Sequence, residues 1–131
     1  MNKLNGKIWI LIGLLIIISL VVYNYVYKSH RNIEMEAPVF GVNSLTLIEE
    51  FLSNTETSSK KYIDKTIQVT GLVTAIDPVR LEIDTHISCY FNDTIFGNDI
   101  LNNNVTLKGR CIGFDELLAE IKMDQCSLII K

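Results

Sequence analysis

Mainly β is the fold class this sequence predicts: a five-stranded barrel with an N-terminal helix and a short helix between strands three and four, preceded by one transmembrane helix. Three observations predict it. Residues 8–22 are apolar without a charge, residues 46–62 place apolar side chains at helical spacing, and from Thr66 onward apolar and polar residues alternate with a period of two. The resulting division is 1–7 as a cytoplasmic N-terminus, 8–27 as a transmembrane signal anchor, 28–43 as a stalk, and 44–131 as the barrel domain.

The anchor comes first. IWILIGLLIIISLVV runs from Ile8 to Val22, and Tyr23, Tyr25, Val26 and Tyr27 extend it to the roughly 20 residues a bilayer core requires. Trp9 at one end and the tyrosines at the other are the amphipathic rings that settle at membrane interfaces. A cleaved signal peptide is the competing reading, because Lys3 and Lys7 form a basic leader. The apolar run is long for that purpose, and its exit, YNYVYKSHRN, offers neither an A-x-A-like site nor a lipidation cysteine. Lys3, Lys7 and the terminal amine slightly outweigh Lys28 and Arg31, which favours an N-terminus on the cytoplasmic side.

Residues 28–43 show no period and contain Pro38 and Gly41, which suits a stalk. Thr46 with Glu49 has the form of a capping box, and Leu47, Ile48, Phe51 and Leu52 then share one helical face. A helix over about 46–62 follows, its stripe facing the core.

The first strand alternates Ile67, Val69, Gly71 and Val73 against Gln68, Thr70 and Thr74, and Asp77-Pro78 turns the chain. Leu81 and Ile83, then Ile87, Cys89 and Phe91, keep one parity through a tight turn near Asp84 and Thr85, giving strands two and three. The Asn-rich segment 92–103, with Ile95, Phe96, Ile100 and Leu101, reads as a short helix or helical turn. Strand four carries Val105, Leu107, Gly109, Cys111 and Gly113 inward, and a turn follows near Asp115 and Glu116. Strand five turns Ala119, Ile121 and Met123 inward, then Cys126, Leu128 and Ile130 after a one-residue shift that marks a β-bulge. Five strands with a helix between the third and fourth is the order of an OB-fold barrel, whose closure removes exposed edges.

These residues also resemble a family. The run Lys28-Ser29-His30-Arg31, the helix positions Leu47, Phe51, Asn54 and Tyr62, and Ile67-x-Val69-x-Gly71-x-Val73 carry the likeness. Ser88-Cys89-x-Phe91, Gly109-Arg110-Cys111-x-Gly113 and Cys126-x-Leu128 continue it. The pattern is similar to the tRNA-anticodon-like OB-fold family of small, membrane-anchored or exported bacterial proteins. That resemblance implies a barrel displayed on the periplasmic or extracellular side of a bacterial inner membrane, and its name reflects fold kinship rather than tRNA binding. Where the family pattern leads to Asp-Val-x-Leu in the fifth strand, this chain has Leu118-Ala119-Glu120-Ile121-Lys122-Met123, which predicts a remodelled loop before that strand.

Charge and chemistry narrow the function. Setting aside Lys3, Lys7, Lys28 and Arg31 from the 12 cations leaves eight against 15 acids, so the soluble part carries about −7. Such a surface repels phosphate backbones, and nucleic acid is a poor default partner. OB-folds bind across strands two and three, where Arg80, Glu82, Asp84, His86, Ser88 and Tyr90 face outward here. The candidate ligand-binding residues are therefore Arg80, His86 and Tyr90, joined by Lys108 and Arg110 from strand four. Their bland reading is a solvated strand face.

No catalytic constellation is present, since alternation turns Cys89 inward and His86 and Ser88 outward, and Asp115-Glu116 and Glu49-Glu50 suit a turn and a helix start. The three cysteines lack metal-site spacing, so no metal or cofactor is expected. Strands three and five meet where an OB barrel closes, which makes Cys89 with Cys126 the preferred disulfide, against three buried thiols as the alternative. The function expected is a non-catalytic binding module for a peptide, a glycan, another small ligand or an envelope protein. A structural accessory subunit of a membrane complex is the alternative, and nucleic-acid binding the weaker one.

Overall fold

A computed structural model of the chain describes residues 2–27, 31–95 and 97–129. Contacts divide the chain into two compact units, residues 1–31 and residues 32–131. Lys28, Ser29, His30, Phe96 and Ile130, which entered the sequence reading, lie outside the described residues.

In the first unit, α1 runs over Asn2–Val26. Its stretch Asn5–Val26 is 22 residues long and apolar enough to cross a membrane. At 1.5 Å per residue that is about 33 Å, matching a hydrocarbon core of about 30 Å. Trp9 and Tyr25 stand exposed towards its two ends, and the Tyr23 and Tyr27 rings stack 4.5 Å apart, one helical turn on.

The second unit starts earlier than the helix at 46. Asn32 caps a 3-10 turn, Ile33–Met35, and Ile33 is completely buried. β1 (Phe40–Asn43) then pairs in parallel with the start of β2 (Thr66–Ile76). Residues within the expected stalk therefore pack as part of the domain.

The expected helix is two helices, α2 (Ser44–Ser53) and α3 (Thr55–Tyr62). The first begins two residues before Thr46 because β1 delivers Asn43 in an extended conformation, and its side chain caps the amide of Leu45 at 3.0 Å. The break lies at Asn54, whose extended backbone (φ −154, ψ 91) stops α2 while its side chain caps Thr57 of α3. The bend brings Phe51 and Tyr62 into one core, their rings 5.9 Å apart.

The five predicted strands are β2, β3 (Arg80–Ile83), β4 (Ile87–Tyr90), β5 (Asn104–Asp115) and β6 (Glu120–Ile129). They form a closed mixed barrel. The first half of β2 pairs antiparallel with β5 and the second half with β3, β3 pairs with β4, β5 pairs with β6, and a parallel β4–β6 ladder closes the ring. This is the OB-fold order, with β1 added alongside β2. The predicted helix between the third and fourth strands is a single 3-10 turn, Asn98–Ile100. Alternation places Val69, Leu81, Ile87, Leu107, Ile121 and Met123 inside, each almost wholly buried.

Two local features shape the barrel's ends. Asp84 and Thr85 both have positive φ (48° and 62°), the geometry of a two-residue type I′ hairpin turn. Ser44, at the start of α2, donates to the Asp84 carboxylate, and Gly71 leaves them room: a Cβ there would collide with Ile83, Ser44 and Asp84. The expected bulge in β6 falls at Gln125 (φ 48), opposite a register shift between Lys108 and Arg110 of β5. It turns Cys126 inward, 7% exposed.

Candidate ligand-binding site

Register defines the outer face from the strands upward. Arg80 pairs with Tyr90, Cys89 with Met123, and Arg110 with Asp124, so Arg80, Tyr90, Asp124 and Arg110 form one row across β3, β4, β6 and β5. With strands about 4.8 Å apart, the row is roughly 14 Å long. Glu82, Ser88 and Lys122 form the next row. The predicted residues Arg80, Tyr90 and Arg110 thus do share a surface.

What that surface can do is limited by how its charges are used. Arg80 is bound to Asp77 at 2.7 Å, which raises the pKa of its guanidinium. Arg110 makes a two-pronged contact with Asp124, at 2.9 and 2.6 Å. Lys122 lies 3.9 Å from Asp115. Ser88 is buried and donates to the Glu120 carboxylate. His86 uses its Nδ1–H to donate to the Ala119 carbonyl at 3.0 Å, holding the β5–β6 turn against β4. Tyr90, 38% exposed, is the aromatic that faces solvent in the row.

Lys108 stands apart from this row. Its ammonium donates to the backbone carbonyls of Glu34 and Glu36, at 2.7 and 2.9 Å, and so fastens the lead-in segment to β5.

Beyond Tyr90 and Asp124 the row opens into a cleft of about 430 Å³. The segment Phe91–Ile95 forms one wall, Gln125–Leu128 the floor, and Asn32 with Glu34 the far wall. Its polar lining is mostly neutral, Asn92, Thr94, Gln125 and Ser127 among it, beside the apolar Phe91, Ile95 and Leu128. Among the described lining residues the charged ones are Glu34 and Asp93, both acidic. A volume in this range suits a small ligand or a short segment of a larger one.

Sequence reading passed over this cleft. Segment 92–95 resembles any Asn-rich connection, and nothing local shows that residues 32 and 34 return to face it. The parity shift at Gln125 was the legible signal. The loop before β6, predicted to be remodelled, is a short turn with Asp115 accepting from the amides of Leu117 and Leu118 at 3.0 and 3.2 Å, and Ala119 at φ 50.

All three cysteines are buried as free thiols. Cys126 lies within hydrogen-bonding reach of Cys89, and this contact with burial holds the Cys89 pKa well above the usual thiol range. Burial pushes Cys111 up to about 11. Cys111 pairs with Met123, not with a residue near 120, because the β5–β6 turn is tight and Ile112 is bulged out of the ladder. Among the described residues no group of three His, Cys, Asp or Glu could hold a metal ion.

Comparison with known proteins agrees with this architecture. The profile of the tRNA_anti-like family matches residues 1–119. A crystal structure from Klebsiella pneumoniae subsp. pneumoniae, described as a candidate nucleic acid-binding lipoprotein, is similar in fold. Its TM-score is 0.50 at 10% sequence identity, the match covering 69% of this chain and 91% of that one. No curated protein matches the chain.

Proposed function

We propose that this chain, which belongs to the tRNA_anti-like family, is a membrane-tethered, non-catalytic OB-fold module that binds an extended peptide, glycan or envelope-protein segment in the cleft beside Tyr90. One observation carries the reading. The cleft is lined by amides, hydroxyls and apolar side chains, and its charged groups, Glu34 and Asp93, are acidic. Oligonucleotide binding needs the opposite, a groove of cations that tracks phosphates. The cations of the adjoining row, Arg80 and Arg110, are already held by Asp77 and Asp124. A ligand rich in neutral hydrogen-bonding groups, or bearing an amine, matches such a lining.

The family name and the description of the Klebsiella protein point towards nucleic acid, so the test sets the two against each other. A photo-crosslinking amino acid in place of Asn92 should capture a polypeptide or glycan in living cells. Capture of RNA or DNA, or steeply salt-dependent retention of the domain on nucleic acid, overturns the reading.

A second reading, an accessory subunit of a membrane complex, is favoured by the β5–β6 turn. Leu117 is 97% and Leu118 64% exposed there. Replacing both with serine should leave cleft crosslinking intact while abolishing co-purification of a complex, if that reading holds.

We place the domain on the periplasmic or extracellular side of the inner membrane, on the strength of the basic residues ahead of α1. Protease added to intact spheroplasts should digest the domain. Full protection would put it in the cytoplasm.

A further inference from the structure

We infer that Cys89 and Cys126 are a redox pair, a dithiol that closes to a disulfide across the seam of the barrel, with Cys126 the thiol that meets the oxidant. The β4–β6 ladder that completes the ring has three register pairs, from Ile87 with Ile121 to Cys89 with Met123. Cys126 lies just past its end, turned inward by the positive φ of Gln125. Its sulfur occupies the space over Gly109, where a Cβ would come within 2.5 Å of it. The Cys89 and Cys126 thiols are hydrogen-bonded neighbours, so closing the bond needs little backbone movement.

The two sulfurs differ in access. Cys126 lines the cleft and is 7% exposed, whereas Cys89 is completely buried. A disulfide-bearing oxidant therefore meets Cys126 first. Loss of the Cys126 proton to water gives a thiolate that attacks one sulfur of the oxidant, whose S–S bond breaks and releases one thiol. Cys89, deprotonated in turn, attacks Cys126 Sγ and expels the second thiol. The protein loses two protons and two electrons, and the oxidant's disulfide becomes two thiols. Cys111, on β5 opposite Met123, is left out. The closed bond would lock β4 to β6 where their ladder ends.

The experiment uses the full chain in detergent micelles, treated with oxidised glutathione, denatured, alkylated and mapped by mass spectrometry. Titratable thiols should fall from three to one, on Cys111, with a peptide joining Cys89 to Cys126. Three alkylated thiols, or a bridge that includes Cys111, overturn the inference. Cys89→Ser should trap glutathione on Cys126, and Cys126→Ser should leave Cys89 unmodified. Glutathione on Cys89 in the second variant, while Cys111 stays protected, would refute the order of attack. The wild-type thiol count stands whether or not either variant folds.

Discussion

At the scale of single residues, the bulge in β6 depends on a pairing of a side chain with the absence of one. Gly109 is inward-facing in β5, where a β-branched residue would ordinarily serve better, and the Cys126 sulfur fills the space it leaves. Gly109→Ala is expected to destabilise the domain by about 1–3 kcal/mol through overpacking. Urea unfolding in a Cys126→Ala background should show a smaller penalty, because the sulfur is then gone; an equal penalty in both backgrounds would mean that the neighbouring backbone, not the sulfur, sets the limit. Glu50 makes a different kind of contribution. Hydrogen bonds from Lys61 and Tyr62, at 2.9 and 2.8 Å, hold its pKa below the ordinary value of 4.5. A carboxyl with a depressed folded pKa stabilises above its unfolded pKa, and that contribution is lost as pH falls through the folded value. Glu50→Gln should therefore flatten the decline of stability with acid below about pH 4.5, measured as the thermal midpoint against pH. Both features were only half legible. Alternation announced the shift at Gln125, but no pattern says that Tyr62 reaches back to a carboxylate twelve residues earlier.

At the scale of elements, the strands were the readable part, because a barrel with one wet and one dry face imposes a period of two. Leu81, Ile83, Ile87 and Cys89 kept their parity through a two-residue turn, and that constancy located both strands and the turn. Helical spacing was less informative. Leu47, Phe51 and Tyr62 all pack inward, so one helix was inferred where the chain bends at Asn54. The signal present was Asn54 itself, a strong N-cap residue ahead of Thr55-Glu56-Thr57. Asn54→Ala should cost about 1 kcal/mol, the usual loss for an N-cap, read from denaturant midpoints. A variant of unchanged stability would show that packing of Phe51 and Tyr62, and not the cap, enforces the bend. β1 was illegible for a simpler reason: Phe40-Gly41-Val42-Asn43 is four residues long, too few to display a period, and its partner is 27 residues away in sequence.

At the scale of the whole molecule, the question is where the tether ends and the domain begins. Composition alone placed the boundary before Ser44, since residues 28–43 carry no periodic signal. Several contacts tie the last third of the protein and β2 to that segment. Ile33 is completely buried, Lys108 donates to the carbonyls of Glu34 and Glu36, Thr66 donates to the Glu36 carboxylate, and the Val39 amide bonds the Thr66 carbonyl at 2.8 Å. The same segment supplies Asn32 and Glu34 to the cleft, so domain stability and the proposed ligand site share a wall. A fragment covering 32–131 should therefore unfold cooperatively without α1, whereas one covering 44–131 should be less stable by several kcal/mol. Loss of a buried isoleucine alone is worth about 2–5 kcal/mol, and β1 and the anchor points of Lys108 go with it. Ile33→Ala in the longer fragment separates these contributions. If the two fragments melt at the same temperature, residues 32–43 are a passive stalk after all, and the cleft loses the wall that Asn32 and Glu34 give it.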